Sequence, residues 1–271
     1  SLFETTLKNK LLIKAESMLN WLKAMTHPDN DISFFNDSTL GIGPKIAVLS
    51  KYFQYITESE FEYKKVSSIN LKESGFIRLE NKNLVCLSDV GSIKPDFNPG
   101  HSHAETLSFE LSFHEKRIIV NSGISLYGRS AIRLKQRSTI SHSTLEVDGL
   151  NSSDVWSGFR VGRRAKIINC ESNFKNINFA SASHDGYTYL KGKPIHSRKW
   201  VLEENQITIF DKVISKNNHS INIIFYFHPD WEIEFLPKNI ILIKDKNLKK
   251  VIAFLFYQEG LFPKMIESQW N

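Results

Sequence analysis

The sequence predicts a mainly β protein: a large antiparallel β-sandwich of stacked sheets, preceded by a short α-helical segment. From Phe61 onward, short runs rich in Val, Ile, Phe, Tyr and Thr alternate with Gly, Asn, Asp and Lys-Asn turns. Helical periodicity is confined to the first 60 residues. More than ten strand candidates follow with no helices between them, which favours stacked antiparallel sheets over βαβ units. The expected division is a helical segment over 1–60 and a sandwich over 61–271.

In chain order, Leu7, Leu11, Ala15, Met18, Leu22 and Met25 step by three or four, which places them on one helix stripe. His27-Pro28-Asp29 then stops the helix. A second helix is expected over Pro44 to Thr57, with Pro44 in its first turn and Ile46, Leu49, Phe53 and Ile56 on its buried side. One-sided helices of this kind need a partner layer, supplied by the following domain or by helices outside this chain. The expected strands are Phe76–Leu79, Leu84–Leu87, Thr106–Phe113, Arg117–Val120, Ser143–Val147, Arg164–Cys170, Ile177–Ser183, Lys199–Glu203, Gln206–Ile214, Ile221–Phe227, Ile240–Ile243 and Val251–Phe256.

With 271 residues, 41% of them hydrophobic and 24% charged, the chain is long and apolar enough to bury a core and is neither disordered nor fibrous. No run of about 18 apolar residues occurs, so no helical membrane span is expected. Its two cysteines, Cys86 and Cys170, exclude both a disulfide framework and a four-thiolate zinc site. Lys plus Arg exceed Asp plus Glu by 35 to 29, a formal charge of +6, which suits anionic partners such as nucleic acid or acidic polysaccharide, or else a solvated lysine-rich surface. The basic residues form no nucleic-acid motif beside aromatics, so no nucleic-acid partner is expected. Ser1-Leu2-Phe3-Glu4 lacks a basic segment followed by an apolar one, so no signal peptide is visible, and a start partway through a longer chain stays open.

The residues suited to chemistry lie between Asp89 and Arg164. Pro99-Gly100-His101-Ser102-His103-Ala104-Glu105 leads into a strand, and histidines two apart in extended chain project from one face, offering two imidazoles to one metal or one substrate. Asn121, Arg137, Ser138 and His142 add polar groups beside core strands.

These blocks carry a resemblance. Asp89-Val90-Gly91, the run from Pro99 through Leu111, Ile119-Val120-Asn121-Ser122-Gly123, the run from Arg137 through Gly149, and the run from Phe159 through Ala165 resemble, in order and spacing, the heparinase II/III family of polysaccharide lyases. His27-Pro28-Asp29 and Phe35-Asn36-Asp37-Ser38 upstream, and His196-Ser197-Arg198, Asp211 and Phe227-His228-Pro229 downstream, extend it over most of the chain. The resemblance implies an incomplete α/α toroid packed on a β-sandwich, of which this chain holds the last helices and the sandwich. The missing toroid is expected in the native protein, and the toroid tyrosine and its uronate-contacting histidine or asparagine have no counterpart here. The implied reaction is β-elimination on a uronic-acid-containing acidic polysaccharide, whether heparan-like, alginate-like or a bacterial surface glycan. A periplasmic or extracellular location is implied with it. The alternative is a non-catalytic carbohydrate-binding or assembly module with the lyase sandwich fold.

β-Elimination removes the C5 proton of a uronate, and it needs a base, charge stabilisation at the carboxylate and an acid for O4. The resemblance implies that His101 faces the cleft in a catalytic role, with Tyr127 on the following loop. Arg129, Arg137, Arg160 and Arg163 are expected to contact substrate, with Arg133 and Arg164 as further candidates, because a guanidinium forks onto carboxylate or sulfate. His103, Asn121 and His142 match the family's metal positions and imply zinc. Asn121 stands where an aspartate is common, and an amide oxygen is the poorer zinc ligand. The other reading is that the three form a buried hydrogen-bonded cluster organising the core. Glu105, in place of a more usual aspartate, is expected to support the neighbouring loop.

Overall fold

The computed structural model describes residues 2–64 and 66–268. Two helices open it, α1 (Leu2–Ala24) and α2 (Ile46–Thr57), and a third, α3 (Ala131–Gln136), lies inside the β region. The strands are β1 (Ile69–Leu71), β2 (Phe76–Glu80), β3 (Leu84–Asp89), β4 (Phe109–Phe113), β5 (Lys116–Val120), β6 (Leu145–Val147), β7 (Val155–Trp156), β8 (Arg160–Val161), β9 (Ile167–Asn173), β10 (Asn178–His184), β11 (Ile195–Leu202), β12 (Ile207–Ile214), β13 (Ile221–Ile223), β14 (Tyr226–Phe227), β15 (Trp231–Leu236), β16 (Ile240–Asp245) and β17 (Val251–Phe256). Every paired strand is antiparallel.

A six-stranded sheet in the order β1-β2-β3-β4-β5-β14 faces a four-stranded sheet, β12-β11-β10-β9, and smaller sheets flank them. The core between them joins Ile77, Leu79, Cys86, Phe109 and Ile119 of the first sheet to Ala180, Ala182, Trp200 and Leu202 of the second, as the predicted sandwich requires. Along β11 the buried residues alternate as His196, Arg198, Trp200 and Leu202, so its inner face is polar at one end and apolar at the other. The polar end is fully paired. His184 accepts the Gly186 N–H and lies 3.1 Å from His196, which donates to Asp211 at 2.7 Å. Arg198 forks onto the same carboxylate at 2.8 Å and reaches the Leu107 and Ser143 carbonyls, tying the sheets together.

Three expectations need correction. On α2, Ile46 and Phe53 are buried as predicted, but Ile56 is exposed. The predicted apolar stripe of α1 is mostly outward: Leu7, Leu11 and Met18 are exposed, while Leu19 and Ala24 near its C-terminal end are buried and Met25, just after it, packs on Val85 and Leu87 of the sandwich. The predicted strand Ile221–Phe227 breaks into β13 and β14, which pair with β6 and β5 in different sheets. The chain leaving α1 is pinned to the six-stranded sheet. Arg78 donates to the Ala24 and Thr26 carbonyls, buried His27 bonds Ser112 at 2.7 Å and Glu110 at 2.8 Å, and Arg117 forks onto Asp29. This anchoring delivers residues 34–38 to the β3–β4 loop at the end of the sheet, where His101 and His103 lie. Among the described residues, no helix is long and apolar enough to cross a membrane.

Candidate functional site

Asp37 is the hub. Its carboxylate, only 6% exposed, accepts from His101 Nδ1 at 2.7 Å, from His103 Nε2 at 2.8 Å, and from both terminal nitrogens of Arg133, the Nη2 bond being 2.8 Å. Burial alone would raise this carboxyl, but hydrogen bonds from His103, Arg133 and His101 outweigh it and hold Asp37 well below the usual carboxylate range. An ionised acceptor-only partner orients both rings: His101 and His103 each direct an N–H to Asp37, so that His101 Nε2 and His103 Nδ1 are the nitrogens turned away from it.

The two histidines then differ by position. His101 is 64% exposed, so its Nε2 opens outward. His103 is fully buried, and burial lowers it to about 4, so it is neutral at physiological pH. Around His101, Tyr127 and Phe159 stand edge-on at ring-centroid distances of 6.0 and 5.8 Å, and both rings lie over the Arg133 guanidinium at 5.4 and 5.1 Å. The backbone seats these loops. Gly158 O accepts from Arg133 and Arg137, and a Cβ on Gly158 would sit 2.6 Å from Gly128 O, so glycine there lets the Tyr127 and Phe159 loops touch.

The structure brings His103, Asn121 and His142 together. The His103 and His142 rings are 5.2 Å apart, and His142 Nδ1 donates to Asn121 Oδ1 at 2.7 Å. Asn121 in turn donates through Nδ2 to Glu105 and, at 3.3 Å, to Ser108. Glu105 also accepts the Asn36 N–H and so holds the loop carrying Asp37; burial, with the Asp89 charge nearby, pushes its carboxyl well up. Among the described residues, two buried ring nitrogens, His103 Nδ1 and His142 Nε2, lack a well-formed hydrogen bond, although the Gln136 backbone also acts on His142. Burial holds His142 neutral as well. A neutral imidazole nitrogen is a donor type that soft or borderline cations accept. Asn121 faces His142 instead, where it fixes the tautomer, and among the described residues no three His, Cys, Asp or Glu side chains group to hold an ion.

The arginines divide sharply. Arg137 is fully buried and donates from Nε and Nη2 to Ser102 O and from Nη1 to Gly158 O, so it braces two loops and does not reach the surface. Arg163 is bound to Ser152 O, Gly186 O, Asn151 O and Asp154 and stacks on Tyr189 at 3.8 Å. Both were expected to touch substrate; in the structure their guanidiniums satisfy carbonyls that folding would otherwise leave unpaired. Arg133 is the clamp on Asp37, and Arg164 bonds Asp96 O. Arg129 and Arg160 are exposed and have no hydrogen bond or ion pair among the described residues.

Sequence reasoning missed Asp37 as the organising group. Its signal was the polar run Asn36-Asp37-Ser38 directly after buried Phe34 and Phe35, an odd place for a carboxylate unless cations converge on it.

A family model described as heparinase II/III-like, C-terminal, matches residues 64–270. Among solved structures, the chain is similar to a heparinase III at 17% identity and a TM-score of 0.65, covering 89% of this chain and 40% of that one. It is also similar to heparan sulfate lyase HepC from Pedobacter heparinus, at 18% identity and a TM-score of 0.62, covering 82% of this chain and 36% of that one. The chain thus spans well under half the length of these structural relatives. No curated protein sequence matches it.

Proposed function

The chain belongs to the heparinase II/III-like C-terminal family, and from that premise we propose that it forms the sandwich side of a lyase that cleaves a uronate-containing acidic polysaccharide by β-elimination. The observation carrying this reading is the outward Nε2 of His101, held by the Asp37–Arg133 pair and flanked by exposed Tyr127. In the proposed reaction a base takes the C5 proton of the uronate, the electron pair forms the C4–C5 double bond, the C4–O4 bond breaks, and an acid protonates the departing oxygen. His101 either accepts the proton or, when protonated, donates to the substrate carboxylate; Tyr127 lies beside it for the second proton transfer. Asp37 orients His101 much as a buried carboxylate orients any catalytic imidazole.

The remaining groups of the reaction belong, on this reading, to an N-terminal toroid domain present in the full-length protein. Exposed Arg129 and Arg160 supply the cationic contacts to the polymer. If zinc is the resident ion, His103 Nδ1 and His142 Nε2 would hold it, and zinc there would brace the loop bearing His101. Two protein donors fall short of the three or four that zinc usually takes. The loss of a carboxylate at Asn121 supports the second reading, a binding or assembly module that kept the sandwich and lost turnover.

The test is to incubate full-length protein with heparan sulfate, alginate and other uronate polymers while following ultraviolet absorbance. Appearance of an unsaturated sugar end, abolished by His101→Ala, supports the lyase; binding without any absorbance gain supports the module.

A further inference from the structure

The β7–β8 hairpin carries exposed groups for which the proposed chemistry around His101 has no role. In it, Val155 pairs with Val161 and Trp156 with Arg160. Directly opposite residues of an antiparallel pair share a face. Val155 is buried, so Trp156 and Arg160 stand together on the outer face. Trp156 is 48% exposed, costly for an indole with nothing to cover it. The ring is nevertheless held in place: it packs against Gly162, where an added Cβ would come within 2.9 Å of Cζ3 and 3.3 Å of Cη2. One side of the indole thus rests on a residue with no side chain. Arg160 is the companion cation, free among the described residues, whereas Arg163 and Arg164 beside it are bonded to their own chain.

The hairpin is also fixed relative to His101. Its tip carbonyl, Gly158 O, is gripped by Arg133 at 3.0 Å and Arg137 at 3.1 Å, and the Phe159 ring lies 5.8 Å from His101. Trp156 is three residues from Phe159, so it stands at most about 10 Å further along the chain.

We infer that the hairpin's outer face is a saccharide subsite next to the reacting sugar, in which Trp156 stacks against the C–H face of a pyranose ring and Arg160 forks onto that ring's carboxylate or sulfate. A flat apolar ring paired with a free guanidinium matches a sugar that is apolar on one face and anionic at its edge. Trp156 is thereby a specificity-determining residue, acting on binding and not on proton transfer. The inference rests on the polysaccharide reading above.

The experiment measures binding of a heparan sulfate hexasaccharide to the full-length protein by calorimetry, with steady-state kinetics alongside. Trp156→Ala is expected to weaken binding about tenfold and raise KM with kcat held, the scale of one lost aromatic stack. Trp156→Phe should stay within a few-fold of wild type. Gly162→Ala keeps the indole but lifts it from its seat, and should weaken binding in the same way, which keeps the inference testable if Trp156→Ala does not fold. Arg160→Gln should lower the slope of log affinity against log salt by about one. Wild-type binding with Trp156→Ala and Gly162→Ala unchanged overturns the subsite and leaves the functional reading standing. Wild-type protein that binds neither this hexasaccharide nor an alginate hexamer overturns both.

Discussion

Replacing Asp37 by asparagine removes the charge on which four donors converge while keeping the shape of the side chain. Oδ1 now serves His103 and one Arg133 nitrogen, and Oδ2 serves His101 and the other. An amide offers one acceptor oxygen, and its NH2 group would face two N–H donors, so at least two of the four bonds are lost whichever way it turns. Arg133, with a side chain 0% exposed, would be left as a buried guanidinium without a counter-charge. Breaking a buried pair of this kind costs about 3–5 kcal/mol, the same scale as losing two charged hydrogen bonds. His101 loses the partner that orients its ring, and turnover should fall roughly 10²- to 10⁴-fold. Urea unfolding and the absorbance assay for the unsaturated product read the two effects separately. Stability within about 0.5 kcal/mol of wild type, the usual range for an unremarkable surface change, would refute the hub assignment. Turnover unchanged within threefold would remove His101 orientation from the mechanism.

Acid should destabilise the fold before ordinary carboxylates protonate. His103 is lowered to about 4 from a normal 6.5, so below pH 6.5 the unfolded chain binds a proton that the folded chain refuses. This stability, present at neutral pH, is lost by about 1.4 kcal/mol per pH unit down to the folded value, about 3 kcal/mol in all. His27, His142, His184 and His196 are also lowered and act in the same sense, while the raised Asp89 and Glu105 oppose it. Urea midpoints measured from pH 7 to 4 should fall, and a flat profile would contradict the neutral buried histidines. Asn121→Asp should raise zinc affinity by about tenfold in calorimetry and increase the zinc-induced rise in Tm, since a carboxylate bonded to His142 Nδ1 makes its Nε2 the more basic ligand. Gly158→Ala forces a Cβ to 2.6 Å from Gly128 O and should part the Tyr127 and Phe159 loops, lowering both turnover and the unfolding midpoint.

The sandwich was legible in the sequence because buried strands of an antiparallel fold carry β-branched and aromatic runs between Gly and Asn turns; β3, β10 and β12 lie where those runs predict. Short strands were not. The two-residue β7 and β8 lie in a stretch of Ser, Asp, Gly and Arg, and their pairing depends on the neighbouring loops, not on local propensity. β15, with the sequence Trp-Glu-Ile-Glu-Phe-Leu, does alternate, but Pro229 and Asp230 just before it read as an extended loop. The stripe on α1 was a sound helix signal, but most of it meets no partner surface among the described residues. At the site, the proximity of His101, His103, Asn121 and His142 follows from the resemblance and from two-residue periodicity. The roles of the arginines were not readable, because whether a guanidinium meets a ligand or a carbonyl depends on which loops close over it. Arg137 is hidden by such closure and Arg163 is tied to carbonyls by it, whereas Arg129 and Arg160 are exposed. Asp37 was hidden for the same reason, being 64 residues from His101 in sequence.

The central claim is that His101, set by Asp37, takes part in β-elimination on a uronate polymer. The most direct measurement is mass analysis of oligosaccharides released by the full-length protein from heparan sulfate, alginate and other uronate polymers, with His101→Ala in parallel. The account predicts products lighter by one water than hydrolysis products, carrying a C4–C5 unsaturated end, from wild type and not from the variant. Hydrated products, or unsaturated products formed equally by His101→Ala, would contradict it.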